Sequence, residues 1–229
     1  MSGEMIRAYQ AGRKGQTRRA RGLNLINESP DDWEFHRFVE TGKRKRVFVM
    51  EREGARFVNR NDSRHEDIRL PYGSAGNLLW FKETYAPMCR VAEDMRCYED
   101  DEAHVKEHHY IEYRADTQTA YPGDWPEEEA RGNDEAPKWQ SSMFMPRINA
   151  RYADIPILKV RVERLQSITA SDALLEGIPV PSTTHPKTFD ELCIWNFKEL
   201  WDRINGKTLP WDKNPWVWVY EFPKYEVKK

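Results

Sequence analysis

The sequence predicts an α+β fold built around a mostly antiparallel sheet or small barrel. Three observations lead there. Segments with the two-residue alternation of strands recur, most clearly at residues 157–165 and 108–114. Helical segments with their own start and stop signals stand between some of them. The two kinds do not alternate regularly, as the parallel sheets of α/β proteins require.

Composition bounds the functional classes. At 229 residues the chain is long enough to bury a core, yet only 39% is hydrophobic and 32% is charged. Polar loops or insertions must therefore dilute that core. Nine Trp, ten Tyr and nine Phe argue against disorder of the whole chain. A net charge of −2 predicts no polyanion partner by itself, so the local runs of charge matter more. Cys89, Cys97 and Cys193 are too few and too scattered for a disulfide framework and suit a reducing compartment. No apolar run approaches the ~18 residues of a membrane span, and no apolar signal core opens the chain. The expectation is a soluble, cytoplasmic protein without a membrane partner.

In chain order, Met5, Ile6 and Tyr9 share one face at helical spacing, and Gly12 is placed to end that helix. The segment Gly12-Arg13-Lys14-Gly15-Gln16-Thr17-Arg18-Arg19 carries four cations and no acid. It reads as a glycine turn followed by an extended basic segment, open to a phosphate or solvated. Ser29-Pro30-Asp31-Asp32 has the form of a helix start, and the helix is expected to reach Thr41. Residues 46–50 and 55–58 read as the arms of a hairpin, and residues 59–69 as polar loop. The apolar run from Leu78 to Phe81 is strand-like and ends abruptly at Lys82 and Glu83. A carboxylate at the mouth of a buried strand is a functional candidate or half of an ion pair. Residues 118–138 read as a long loop.

Residues 169–177 form a short capped helix ended by glycine. Thr188-Phe189-Asp190-Glu191 is a capping box, opening a helix to Ile204 whose Leu192, Trp195, Leu200, Trp201 and Ile204 are expected in the core. Trp216-Val217-Trp218-Val219-Tyr220-Glu221-Phe222 closes as a strand. Its aromatics read as core rather than as a stacking surface for bases.

Several blocks resemble a known family when taken in order. They include residues 6–19, Pro71-Tyr72-Gly73, Leu79-Trp80-Phe81-Lys82-Glu83-Thr84, Tyr113-Arg114-Ala115-Asp116 and Met143-Phe144-Met145-Pro146-Arg147. Residues 160–165, 172–177, 200–206 and 214–219 complete the set. Together they resemble the ASCH-like proteins of bacteriophages and prophages, within the PUA-like superfamily. The resemblance implies a single domain over residues 1–229, with insertions at 22–68 and 88–140, and a PUA-like β-barrel with flanking helices. It implies recognition of a nucleoside, RNA or DNA, including a modified base.

One branch resembles amidohydrolases that remove the acyl group of N4-acetylcytidine. Its Lys-x-x-Thr pair and downstream glutamate carry over onto Lys14, Thr17 and Glu83. Other readings are an ASCH-type ribonuclease and a structural or morphogenetic phage component. The chain departs from the pattern at Gly15, where relatives carry threonine, and at Asn77, where they carry aspartate.

The chemistry of the three positions is coherent. A desolvated lysine can act as a base. Thr17 would attack or orient a water, and Glu83 would pass a proton to the leaving amine. Arg13, Arg18, Arg19 and the run Lys43, Arg44, Lys45 and Arg46 are candidates for phosphate contacts. Cys89, Cys97, His104, His108 and His109 fall close together, but the gap between the cysteines is wider than zinc sites use. No metal and no cofactor is expected.

Overall fold

The computed structural model describes residues 2–40, 53–89, 109–117, 139–181 and 188–226. Its helices are α1 (Gly3–Gln10), α2 (Asn24–Glu28), α3 (Arg114–Thr117), α4 (Ala170–Leu175) and α5 (Phe189–Asn205). Its strands are β1 (Gln16–Arg19), β2 (Trp33–Glu40), β3 (Glu53–Asn59), β4 (His65–Arg69), β5 (Leu78–Leu79), β6 (Tyr85–Cys89), β7 (His109–Tyr113), β8 (Ile155–Pro156), β9 (Lys159–Arg164) and β10 (Trp216–Glu221). The fold is mixed α and β. Its described strands form small antiparallel sheets in the orders β1-β10-β9, β2-β3-β4, β5-β8 and β6-β7. They do not close into a barrel. Among the described residues no helix is long and apolar enough to cross a membrane.

The chain divides into two compact units. The first comprises Met1–Arg7 and Trp80–Ala153, the second Ala8–Leu79 and Asp154–Lys229.

The second unit is organised on β10, which is buried along nearly its whole length between β1 and β9. Directly opposed residues of an antiparallel pair share a face, and successive residues alternate. Trp216, Trp218 and Tyr220 therefore point to one face. There they meet Leu23, Ile26, Trp33, Phe57 and Ile157 in the main core, so their reading as core residues holds. Phe57 packs edge-on against Trp216 at 5.5 Å, and Tyr72 against Tyr220 at 5.4 Å. Each large side chain fully buried here contributes roughly 1.5–3 kcal/mol. Asn27 brackets the start of β10, accepting from the Trp216 N–H and donating to its carbonyl. On the other face of the sheet lie α4 and α5. Phe197 and Trp201 of α5 form an aromatic group with Trp211, which lies in the 3-10 turn after the helix.

Two expectations about elements are corrected. Residues 33–40 are strand, not helix: only Pro30–Asp32 form a 3-10 turn before β2 pairs with β3. Trp33, Phe35, Phe38 and Val39 are aromatic or β-branched, and their pairing with Glu53–Asn59 overrides the helix-start signal. Residues 65–69, expected as loop, form β4, whose partial burial alternates with period two. The first hairpin arm, residues 46–50, lies outside the described residues, and so does the expected loop at 118–138.

The capping box of α5 is present, with Thr188 and Glu191 bonding each other's backbone. Leu192, Leu200 and Trp201 are buried as expected, but Trp195 and Ile204 are exposed and Cys193 and Phe197 take inward positions.

The first unit is built on the β6–β7 ladder. Residues 139–152 are tied to it by a bridge from Gln140 to Tyr85 and by hydrogen bonds from the hydroxyls of Tyr85 and Tyr113.

Candidate functional site

Lys14 is held by main-chain bonds on both sides. Gly12, at φ +67°, ends α1, and the amides of Arg13 and Lys14 both donate to the Ala8 carbonyl. Gly15 donates to the Leu175 carbonyl at the end of α4 and accepts from Phe222. This geometry turns the Lys14 side chain inward, where it is 2% exposed. Its ammonium donates to the Glu176 carbonyl at 2.6 Å and to Glu176 Oε2 at 3.2 Å. Burial pushes the Lys14 pKa down; Glu176 opposes that shift, and Arg19 and Arg18 add to it. The main-chain contact is favourable, because the C-terminal end of a helix carries partial negative charge.

Glu176 links Lys14 to a wider network. Its Oε1 accepts from Arg18 Nη1 at 3.2 Å. Arg18, 2% exposed, also donates to Glu163 and Asp172. Arg161 meets Asp172 at 2.8 Å, Glu163 at 3.1 Å, and Glu221. Burial alone would raise the Asp172 pKa, but Arg18 and Arg161 outweigh it and hold the carboxyl below its ordinary value. The network joins α4 to the sheet through charges that are largely out of water. A ligand reaching Lys14 must replace contacts made by Glu176.

Thr17 stands opposite Tyr220 in the ladder and so points to the aromatic face, whereas Arg18 stands opposite Val219 and points to the face carrying α4. The Thr17 hydroxyl is buried and makes no hydrogen bond among the described residues. Lys14 and Arg18 are therefore brought together through Glu176, and the Thr17 hydroxyl is not bonded to either.

Glu83 belongs to the first unit and is 1% exposed. Both of its oxygens accept from Arg151, whose Nη2 lies 2.7 Å from Oε2. Arg151 also meets Asp116, and its guanidinium lies over the rings of Tyr113, at 4.2 Å, and Tyr152, at 5.0 Å. Burial opposes the charge on Arg151, but the hydrogen bonds to Glu83 and Asp116 outweigh it and raise its pKa. Burial and the nearby Glu83 raise the Tyr113 phenol.

Arg13 is partly buried and donates to the Gly177 carbonyl, and Arg19 donates to the Arg18 carbonyl. Lys43, Arg44, Lys45 and Arg46 lie outside the described residues, as do Cys97, His104 and His108. Among the described residues no group of three or more His, Cys, Asp or Glu is arranged to hold a metal. Asn77 closes the turn begun at Gly73, its Oδ1 accepting the Ser74 N–H at 2.9 Å.

Sequence reasoning did not single out Glu176, Asp172, Asp116 or Arg151. The first two sit in a segment whose glycine-ended helix was legible, yet nothing local says that its acids turn toward Lys14 and Arg18. Asp116 lay within a block carrying the resemblance, and Arg151 stands four residues beyond another. No family model, curated protein or solved structure matches the chain.

Proposed function

We propose that the chain recognises a nucleotide or nucleic acid, including a modified base, at a site containing Lys14. A PUA-like architecture and a role in the cytoplasm belong to the same proposal. The β1-β10-β9 sheet, flanked by α4 and α5, is compatible with such an architecture. The observation that carries the reading is the buried Lys14 ammonium with its lowered pKa, hydrogen-bonded to a carboxylate. Perturbed groups of this kind collect at functional sites, although ion-pair networks produce them too.

In the enzymatic form, the protein hydrolyses an N4-acylated cytosine. A water attacks the acyl carbon, Lys14 in its deprotonated form takes the water's proton, the bond to N4 breaks, and the proton passes to the departing amine. Glu176 is the carboxylate able to exchange a proton with Lys14 in the second unit; the shuttle role of Glu83 comes from the resemblance. In the binding form there is no turnover, and Lys14 is a donor to the ligand. One observation favours binding without turnover: the Thr17 hydroxyl has no bond to Lys14.

Incubation with N4-acetylcytidine, with cytidine and acetate followed by chromatography, distinguishes the forms when run beside a binding titration. A hydrolase should lose about 10²–10⁴ in rate on Lys14→Met. A reader should lose roughly ten- to a hundredfold in affinity, the worth of one charge-assisted hydrogen bond. A single-stranded RNA in parallel tests the ribonuclease reading. Neither turnover nor binding of nucleosides and oligonucleotides by the wild-type protein would end the proposal.

A further inference from the structure

We propose that the first unit carries a platform for single-stranded nucleic acid, formed by residues 139–149 with Lys82 and Arg114. The idea deepens the nucleic-acid reading but rests on residues other than Lys14.

The platform is built on a backbone that is firmly held. Met145 is 2% exposed, and its sulfur accepts the Glu83 N–H. The Tyr85 hydroxyl donates to Gln140, the Tyr113 hydroxyl donates to the Asn149 carbonyl at 2.7 Å, and Lys82 Nζ donates to the Met143 carbonyl at 2.9 Å. Ser141 caps the 3-10 turn at Ser142–Phe144, and a second 3-10 turn follows at Arg147–Asn149. This held backbone nevertheless presents Met143 and Phe144, each 71% exposed, and Ile148, 92% exposed. Scattered surface apolar residues need no explanation, but these three fall within six positions on two successive anchored turns.

The charge around these residues selects the occupant. Residues 139–150 contain no acid, in a chain with 38 Asp and Glu. Arg147 and Arg114 are exposed. Arg114 lies over the Trp139 ring at 5.9 Å, and Lys82 over the Trp80 ring at 5.0 Å. Rings and cations are thus interleaved. Single strands are held in this way, bases stacking on exposed rings while cations meet the phosphates. A duplex hides its base faces within its own stack, so the platform should discriminate against it. An apolar protein partner would use Met143, Phe144 and Ile148 but has no need of the flanking cations.

The test is fluorescence anisotropy on the full chain with labelled 20-nucleotide oligo-dT and oligo-U and a 20-base-pair duplex, across a salt series. Phe144→Ala and Arg147→Ala replace exposed side chains, so circular dichroism should show both folded. The expected result is saturable binding of single strands over duplex. Phe144→Ala should weaken it roughly 5- to 150-fold, the worth of stacking one base, with the salt slope unchanged. Arg147→Ala should lower the slope by about 0.7, one phosphate contact on a single strand. Nucleoside binding, measured alongside on the wild-type protein and both surface variants, should be unchanged by either substitution, which separates failure of one site from failure of the other. No saturable single-strand binding, equal affinity for duplex, indifference to both surface variants, or self-association through these residues in place of oligonucleotide binding would each overturn the proposal.

Discussion

Glu176→Ala tests the logic of the buried network most directly. The variant removes the carboxylate that lies 3.2 Å from Lys14 Nζ and 3.2 Å from Arg18 Nη1, with all three side chains at most 6% exposed. At an effective dielectric of about 20, each contact is worth about 5 kcal/mol of Coulomb attraction before desolvation is counted. Desolvation offsets most of that when the pair forms, but truncating one partner leaves the other cation buried, at a cost of about 3–5 kcal/mol.

The two cations differ in how they can respond. Arg18 keeps Glu163 and Asp172. Among the described residues Lys14 keeps only the Glu176 main-chain carbonyl, and it can escape by losing its proton, because Glu176 was the group holding its pKa up. The cost should therefore be largest near neutral pH and shrink as the pH rises toward 10. The assay is chemical denaturation at several pH values, supported by thermal melts. For a chain of this size 3–5 kcal/mol corresponds to a fall of about 6–20 °C in the midpoint. Asp67→Asn, which breaks the solvent-exposed Arg56–Asp67 pair, is the control and should leave the midpoint unchanged within error. A Glu176→Ala cost below about 1 kcal/mol at neutral pH, or one independent of pH, would refute the reasoning.

Three further predictions concern the same unit. Lys14 has a folded pKa below its unfolded value of 10.5, so the unfolded chain binds more protons between the two. Its contribution to stability is present above 10.5 and lost as the pH falls through the lowered value; Lys14→Met should flatten that rise in stability with pH, and an unchanged profile would contradict the burial argument. Thr17→Val should be neutral or slightly stabilising in equilibrium unfolding, since it removes a buried hydroxyl with no partner among the described residues; a cost above about 1 kcal/mol would mean the hydroxyl is satisfied in solution. Gly177→Ala should destabilise by more than about 1 kcal/mol in the same measurement. Gly177 sits at φ +95°, and an added Cβ would lie 2.8 Å from Ala8 Cβ; a neutral result would count against this packing of the turn after α4 on α1.

Much of the second unit was legible from local signals, because local physics decides those elements. Gly12 and Gly177 do take positive φ, Thr169 and Thr188 do cap their helices, and the alternation in β9 marks a strand with two unlike faces. Segment 33–40 failed for a non-local reason. Its start signal is that of a helix, and only the partner strand Glu53–Asn59 makes it extended. The site was half legible on the same grounds. Lys14 stood out as a cation in a glycine turn, but its burial and its bond to Glu176 depend on a segment about 160 residues away, beyond any local pattern. Likewise, strand alternation separates Thr17 from Arg18 only once β1 is known to pair with β10.

That pairing has a consequence for how the protein is made. Gln16 lies opposite Glu221, so the first ladder of the chain waits for residues synthesised about 200 positions later. At about 5–20 residues per second, ribosomes need roughly 10–40 s to supply them. Throughout that time the strand carrying Thr17 and Arg18 has no ladder partner, and for about the first 160 positions of it Lys14 also lacks the acid that follows α4. A nascent chain stalled before Trp216 has no central strand on which to join β1 to β9. Its half-made sheet must be kept from pairing with other strands until translation resumes.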